Sequence, residues 1–372
     1  SRSVPMTEPV RHLYVHLPFC ASRCGYCAFV VEVGGLGSRD DYLEALTAEL
    51  EMEAHRLGAI ETVFLGGGTP TLMRPRRLRE LLDRVRPLLA PGAEVTVEAN
   101  PETVDGAQLV ELLEAGVTRL SLGVQSFQPS LLATLDRAAT PAMARDAATC
   151  AREAGFRSLS IDLLFGVPGQ TAEDLASDME AAIDIGPDHV SWYELEMKPG
   201  SALAASGVPL PDEDLTATAY RDIVERLEAA GYRWYETANY ARPGHECRHN
   251  LAYWGAADYL GVGIGAVSTV GGRRWRNAPR LEDYVGRLSR GEAPRRTVEV
   301  IEGAVARRER WMLGLRLDEP LDLGWAGPPD NPEALDRLAG LGLVESDGGE
   351  LRLTREGRFV QNAVLGELME FA

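Results

Sequence analysis

The chain has 372 residues and a formal net charge of −18; 45% of its residues are hydrophobic and 25% charged, the balance of a soluble globular protein able to bury a sizeable core. That acidity excludes a general nucleic-acid binder, because phosphate affinity needs clustered Lys and Arg, and basic patches such as "GGRRWR" (271–276) stand on an acidic background. No apolar run approaches a membrane span, no signal-peptide pattern is visible, and five cysteines with three clustered do not make a secreted disulfide framework. The sequence predicts a cytoplasmic protein with at most peripheral membrane contact.

From residue 12 to about 200, short β-type runs alternate with helical ones. The strand candidates are "LYVHL" (13–17), "TVFLG" (62–66), "VTVEA" (95–99), "RLSLGV" (119–124), "LSIDLLFG" (159–166) and "VSWYELE" (190–196), each rich in the Val, Leu and Ile that buried parallel strands require. Helical patterns lie between them at 40–57, 74–89 and 171–185, with Asp40 and Thr171 as expected N-caps. Six β-α units in series predict an α/β fold with a parallel sheet, right-handed crossovers and functional loops at the C-terminal strand ends. The unusual chemistry of the chain collects at those ends. Three cysteines follow the first strand, "GGGTP" (66–70) ends the second, "EANPE" (98–102) ends the third, Gln125 follows the fourth, and Asp162 lies late in the fifth.

Beyond the Pro/Gly punctuation at 199–211, a helix is expected over 212–232, then an aromatic segment to 268. The C-terminal stretch reads helix, turn, strand, turn, strand, helix, the pattern of a small winged-helix-like α+β domain. The expected division is a core at 1–210, an accessory segment at 211–295 and the C-terminal domain at 296–372.

Cys20, Cys24 and Cys27 put three thiols within eight residues. Three thiolates leave a tetrahedral zinc site one ligand short, with Cys150, Cys247 or a histidine needed to complete it. An iron–sulfur cubane with one iron open to another ligand suits three cysteines, and three unrelated core thiols remain the plain alternative.

C-x3-C-x2-C behind a first strand, an aromatic residue two places past the last cysteine and GGGTP after the second strand resemble the radical S-adenosylmethionine (SAM) superfamily. The resemblance implies an open (β/α)6 partial barrel and a [4Fe–4S] cluster on Cys20, Cys24 and Cys27 whose open iron is chelated by the amino and carboxylate groups of SAM. An electron from the cluster then splits the sulfonium C–S bond to give methionine and a 5′-deoxyadenosyl radical. It further implies that Gly67, Gly68 and Thr69 admit the methionyl amino group and that Arg137 pairs with the SAM carboxylate. Glu98 and Asp162 would accept from ribose hydroxyls or the amino group, while Tyr14, Phe29 and Gln125 line the adenosyl and second-substrate space.

The likeness reaches further. "HLYVHLPFCASRCGYCAF", "FLGGGTPTLM", "VEANPETV", "RLSLGVQSF", "LSIDLLFGVPGQT" and "GYRWYETANYARPGHECRHNLAYW" run in the order found in the family of oxygen-independent coproporphyrinogen III oxidases, over residues 11–268. The oxidase branch carries a further cysteine where this chain has Phe29. The haem-chaperone branch has C-x3-C-x-Y-C-x-F and a later H-N-x-x-Y-W, both present here, the second as His249-Asn250-Leu251-Ala252-Tyr253-Trp254. The chain resembles the chaperones, which implies haem or porphyrin as ligand, a haemoprotein as acceptor and His249 as a haem contact, with Cys247 as a rival thiolate. Two positions depart from the chaperone pattern: Ala28 replaces a common acidic residue, and Val267 replaces a histidine. Porphyrinogen decarboxylation and methyl or methylene transfer stand as the alternative functions, so the resemblance leaves open whether the protein is an enzyme.

Overall fold

The computed structural model describes residues 8–34 and 38–370. The chain divides into two compact units, one drawn from the residues up to 211 together with 258–299, the other from 212–257 together with 300 onward.

The first unit is built on a parallel sheet. Its strands are β1 (Val10–Leu17), β2 (Leu57–Gly67), β3 (Leu89–Ala99), β4 (Arg119–Gln125), β5 (Ser158–Phe165), β6 (His189–Glu194) and β7 (Leu260–Val262). They lie in the order β7-β1-β2-β3-β4-β5-β6, with every neighbouring pair parallel. The six strands expected from the sequence are thus in place, in sequential order. A seventh, β7, pairs Tyr14 with Gly261 on the far side of β1.

Helices α1 (Ser38–Glu53), α2 (Pro75–Val85), α3 (Gly106–Glu114), α4 (Pro129–Thr134), α5 (Pro141–Ala154) and α6 (Ala172–Ile185) connect the strands. Thr171 caps α6 in a reciprocal capping box with Asp174, as its sequence position predicts. Asp40 does not cap α1. The helix starts two residues earlier, and Asp40 sits in its first turn, where it accepts from Arg77 Nε at 3.1 Å. Two of the expected helices are also too long at their C-terminal ends: 54–57 and 86–89 leave helix through a 3₁₀ turn and enter β2 and β3. Leu57 and Leu89 are good helix formers, but pairing with Val10 and Ile60 draws them into the sheet.

In the second unit, α7 (Glu213–Ala229) precedes an antiparallel hairpin of Arg233–Glu236 and Asn239–Ala241, followed by α8 (Arg248–Trp254). The C-terminal part follows the predicted series: helix Glu333–Gly340, strands Val344–Asp347 and Glu350–Leu353, then helix again. Its own core gathers Trp311, Leu338, Leu351, Val364 and Leu368.

Candidate functional site

The cysteine loop begins where β1 ends. Phe19–Cys20 and Glu32–Val33 pair in a two-residue parallel ladder, which closes the loop on itself. Backbone bonds then pin the loop to its neighbours: the Gly25 N–H donates to Leu135 O at 3.0 Å, and the Leu203 N–H to Gly25 O at 2.7 Å. Tyr26 packs against the Leu131, Leu135 and Leu164 cluster. The three thiols are half-buried. Burial pushes the Cys20 and Cys27 thiols up, with Thr69 pulling Cys20 the other way.

Each strand end adds to this loop. After β2, the Gly68 N–H reaches Leu17 O and the Thr69 N–H reaches Phe19 O, both at 2.8 Å, while Thr69 Oγ1 stands 3.7 Å from Cys20 Sγ. The glycines are dictated by this packing. Gly67 has φ +111°, and a Cβ there would lie 2.4 Å from the His16 ring; one on Gly68 would lie 2.6 Å from the Pro18 backbone. The close approach that the glycines permit is therefore an approach to β1 and its loop.

Arg137 is the hub. Its side chain is only 5% exposed, yet it lies beside the thiols: Nη1 donates to Cys24 Sγ at 3.4 Å, and Nη2 to Asn100 Oδ1 at 3.1 Å and Gly123 O at 2.6 Å. Asn100 in turn donates to Thr69 Oγ1 at 3.1 Å, so the second, third and fourth strand ends are tied together. Arg137 Nε is buried without a hydrogen-bond partner, and Glu102 Oε2, likewise without one, faces Arg137 Nη2 as an ion pair at 4.0 Å. Buried polar groups are rarely left so. An unpaired guanidinium donor next to three thiols fits a small ligand that brings a carboxylate.

Deeper on the strands, the Gly67 N–H donates to Glu98 Oε2 at 3.0 Å, and Ser121 Oγ donates to both oxygens of Asp162 at 3.1 and 3.2 Å. Desolvation lifts the half-buried Glu98 carboxyl to about 7, with repulsion from Asp162 second and the Gly67 N–H opposing. Burial raises Asp162 as well, against its serine donors. His16 donates through Nε2 to Val30 O at 2.8 Å, since a carbonyl can only accept, so its Nδ1 accepts from the Tyr14 hydroxyl at 3.0 Å. Tyr14 stacks on Phe64 at 6.3 Å between ring centroids. Gln125, the last residue of β4, is held at φ +69°, a left-handed backbone rarely adopted outside glycine. Phe29 is 68% exposed on the cysteine loop.

Among the described residues, no group of three His, Cys, Asp or Glu side chains is arranged to grip one metal ion. A cubane spreads its thiolates over separate irons and asks for no such convergence. A groove of about 560 Å³ between α1 and α2, lined by Leu43, Glu44, Arg77, Leu81 and Arg84, contains none of these residues.

The family model of the Radical SAM superfamily matches residues 14–182, the span that holds this rim. The heme chaperone HemW of Mycobacterium tuberculosis is 41% identical over 98% of this chain and 96% of its own length. The chain belongs to the HemW family of radical SAM proteins. The heme chaperone HemW of Escherichia coli is 41% identical over 70% of this chain and 71% of its own. Among solved structures, the coproporphyrinogen III oxidase HemN of Escherichia coli, a radical SAM enzyme, superimposes with a TM-score of 0.85 at 25% identity, covering 98% of this chain and 91% of the other. Membership of the superfamily implies a [4Fe–4S] cluster and SAM.

His249 belongs to the second unit. It is buried on α8, its Nε2 is 2.9 Å from the Tyr253 hydroxyl, and the two rings meet edge to face at 4.8 Å. The Arg316 guanidinium lies over the Trp254 ring at 5.1 Å. Cys247 is buried at the start of this helix, its N–H donating to the Tyr235 hydroxyl at 3.2 Å. Val267 is half-buried at the start of a strand that pairs with Arg273–Asn277. Among the described residues, no helix is long and apolar enough to cross a membrane.

Sequence reasoning missed Asn100, Glu102 and His16. Asn100 and Glu102 lie inside the quoted "EANPE", where two polar residues directly behind a buried strand were the available signal. His16 alternates with Tyr14 on β1 and so shares its face, a period-two cue that the cysteines overshadow.

Proposed function

We propose that this chain binds haem and hands it to haem-requiring proteins, using a radical SAM core. The observation that carries this reading is the 41% identity to a heme chaperone held over 98% of the chain, so the likeness includes the second unit with its His249 motif as well as the core. In this reading Cys20, Cys24 and Cys27 hold the cluster, and Arg137 offers its unpaired Nε to the SAM carboxylate. Gly67, Gly68, Thr69, Glu98 and Asp162 serve the amino and ribose groups. Tyr14, Phe29 and Gln125 border the adenosyl side. When bound, the cluster and SAM supply one-electron chemistry.

His249 is the proposed haem contact, since imidazole is a common axial ligand to haem iron. Its Nε2 is engaged by Tyr253, so ligation through that nitrogen exchanges a phenol for iron. The fold likeness to a coproporphyrinogen III oxidase supports a second reading, propionate decarboxylation. Phe29 weighs against it, because it stands where the oxidase branch has a further cysteine. The two readings separate in one experiment on anaerobically reconstituted protein. The chaperone reading expects stoichiometric haem with a Soret band that shifts or weakens in His249→Ala, and no CO2 from coproporphyrinogen III with SAM and reductant. Steady multiple-turnover release of CO2 would overturn it.

A further inference from the structure

On α6 the buried residues are Leu175, Asp178, Met179, Ala181 and Ala182, so an aspartate occupies a place where the helix otherwise buries apolar side chains. Asp178 is wholly buried, and a buried carboxylate is costly unless several donors meet it. Three do, all from one loop. Ser126 Oγ donates at 2.7 Å, the Phe127 N–H at 2.8 Å and Gln128 Nε2 at 2.9 Å, and the Gln128 N–H closes the knot on Ser126 Oγ at 3.0 Å. This loop leads from Gln125 into α4. Among the described residues only three non-glycine residues have positive φ, and two of them, Gln125 at +69° and Asp136 at +53°, bracket that six-residue helix. Residues held in such backbone persist only where their surroundings over-determine them. Past α4, Leu135 O holds the cysteine loop through Gly25, and the Arg137 N–H is fixed to Leu132 O at 2.9 Å.

We propose that Asp178 is a positioning residue for the SAM site: its clamp on residues 126–128 sets Gln125 and, through α4, Arg137 and the cysteine loop. The inference rests on the reading of this rim as the SAM site. It concerns a residue that meets none of the thiols.

The test is SAM affinity by equilibrium binding on anaerobically reconstituted protein, with iron content and melting temperature measured beside it. Loss of charge-accepted hydrogen bonds in Asp178→Ala should weaken SAM binding about tenfold while iron uptake stays at the wild-type level. Asp178→Asn, whose amide oxygen still accepts from Phe127 and Gln128, should stay within about threefold of wild type. Asp188→Ala is the control. Asp188 accepts from the Leu159 N–H at 2.9 Å and pairs with Arg152 at 2.8 Å, at the N-terminal ends of the strands, so its loss should lower the melting temperature and leave SAM affinity alone. If Asp178→Ala does not fold, Ser126→Ala with Gln128→Ala removes two of the three donors and should show the same loss. Wild-type affinity in a folded, iron-loaded clamp variant, or an equal loss in Asp188→Ala, would overturn the proposal. Wild-type protein that takes up iron and binds no SAM would instead sink the reading of the rim on which it rests.

Discussion

At the rim of the parallel sheet, Cys24, Thr69, Asn100 and Arg137 meet although they are far apart in sequence; on α8, His249 and Tyr253 meet because they lie one helical turn apart. The rim is assembled by the fold, and it keeps unspent hydrogen-bonding capacity in the Arg137 Nε donor. The helix pair is local, and its hydroxyl and imidazole engage each other. A site of the first kind is pre-organised for a ligand that brings its own charge. A site of the second kind must give up an internal bond when a ligand arrives.

The sharpest break in this comparison comes from the cysteines. Replacing Cys20, Cys24 or Cys27 with Ala should abolish iron uptake outright, where the wild type should hold about four irons with a cubane-type signal after reduction. Cys150→Ala and Cys247→Ala should keep the full iron content. Anaerobically purified protein with stoichiometric zinc and no iron would overturn the cluster assignment.

The same contrast explains what could be read in the sequence. Six strands and their polar ends were legible because a buried strand and a glycine-rich stop leave local signatures, and the C-terminal helix–strand–strand–helix series followed its own periodicity. The links across the rim were not. Nothing near Asn100 announces that it joins Thr69 to Arg137, and Asp178 reads as one acidic residue in an acidic helix until the fold brings the 126–128 loop to it. Helix ends failed for the opposite reason, since residues 54–57 and 86–89 have helical propensity that the sheet overrides. On α8 the i, i+4 spacing of His249 and Tyr253 was in plain view, and there the hydroxyl of Tyr253 binds His249.

Glu98 probes the rim's electrostatics without touching the thiols. Its carboxyl titrates at about 7 in the fold, against 4.5 for an ordinary glutamate, so the folded state holds the proton more tightly than the unfolded chain. The stabilising effect is present below pH 4.5 and is lost as pH rises through 7. Glu98→Gln should therefore make the reduced apo-protein more stable than wild type at pH 8, by on the order of 2 kcal/mol after allowing for water at a half-buried site, with little gain at pH 5. Urea unfolding at the two pH values measures it. A difference that does not change with pH would show that Glu98 is solvated like any surface carboxylate.

The smallest effect tests the helix pair. Tyr253→Phe removes one hydroxyl and keeps the ring, so its cost to stability is about 1 kcal/mol, the net worth of a single hydrogen bond. The consequence for haem has a definite sign. If iron replaces the phenol on His249 Nε2, the wild type gives up that hydrogen bond on binding and the variant has none to give up. Haem affinity in Tyr253→Phe should then equal or exceed that of wild type, by no more than about fivefold, with an unchanged Soret band. A tyrosine can itself ligate haem iron, and loss of that phenolate would lower affinity and move the Soret band. The direction of the affinity change therefore tells which member of the pair meets the iron: a rise with an unchanged Soret band places it on His249, and a fall with a moved band places it on Tyr253.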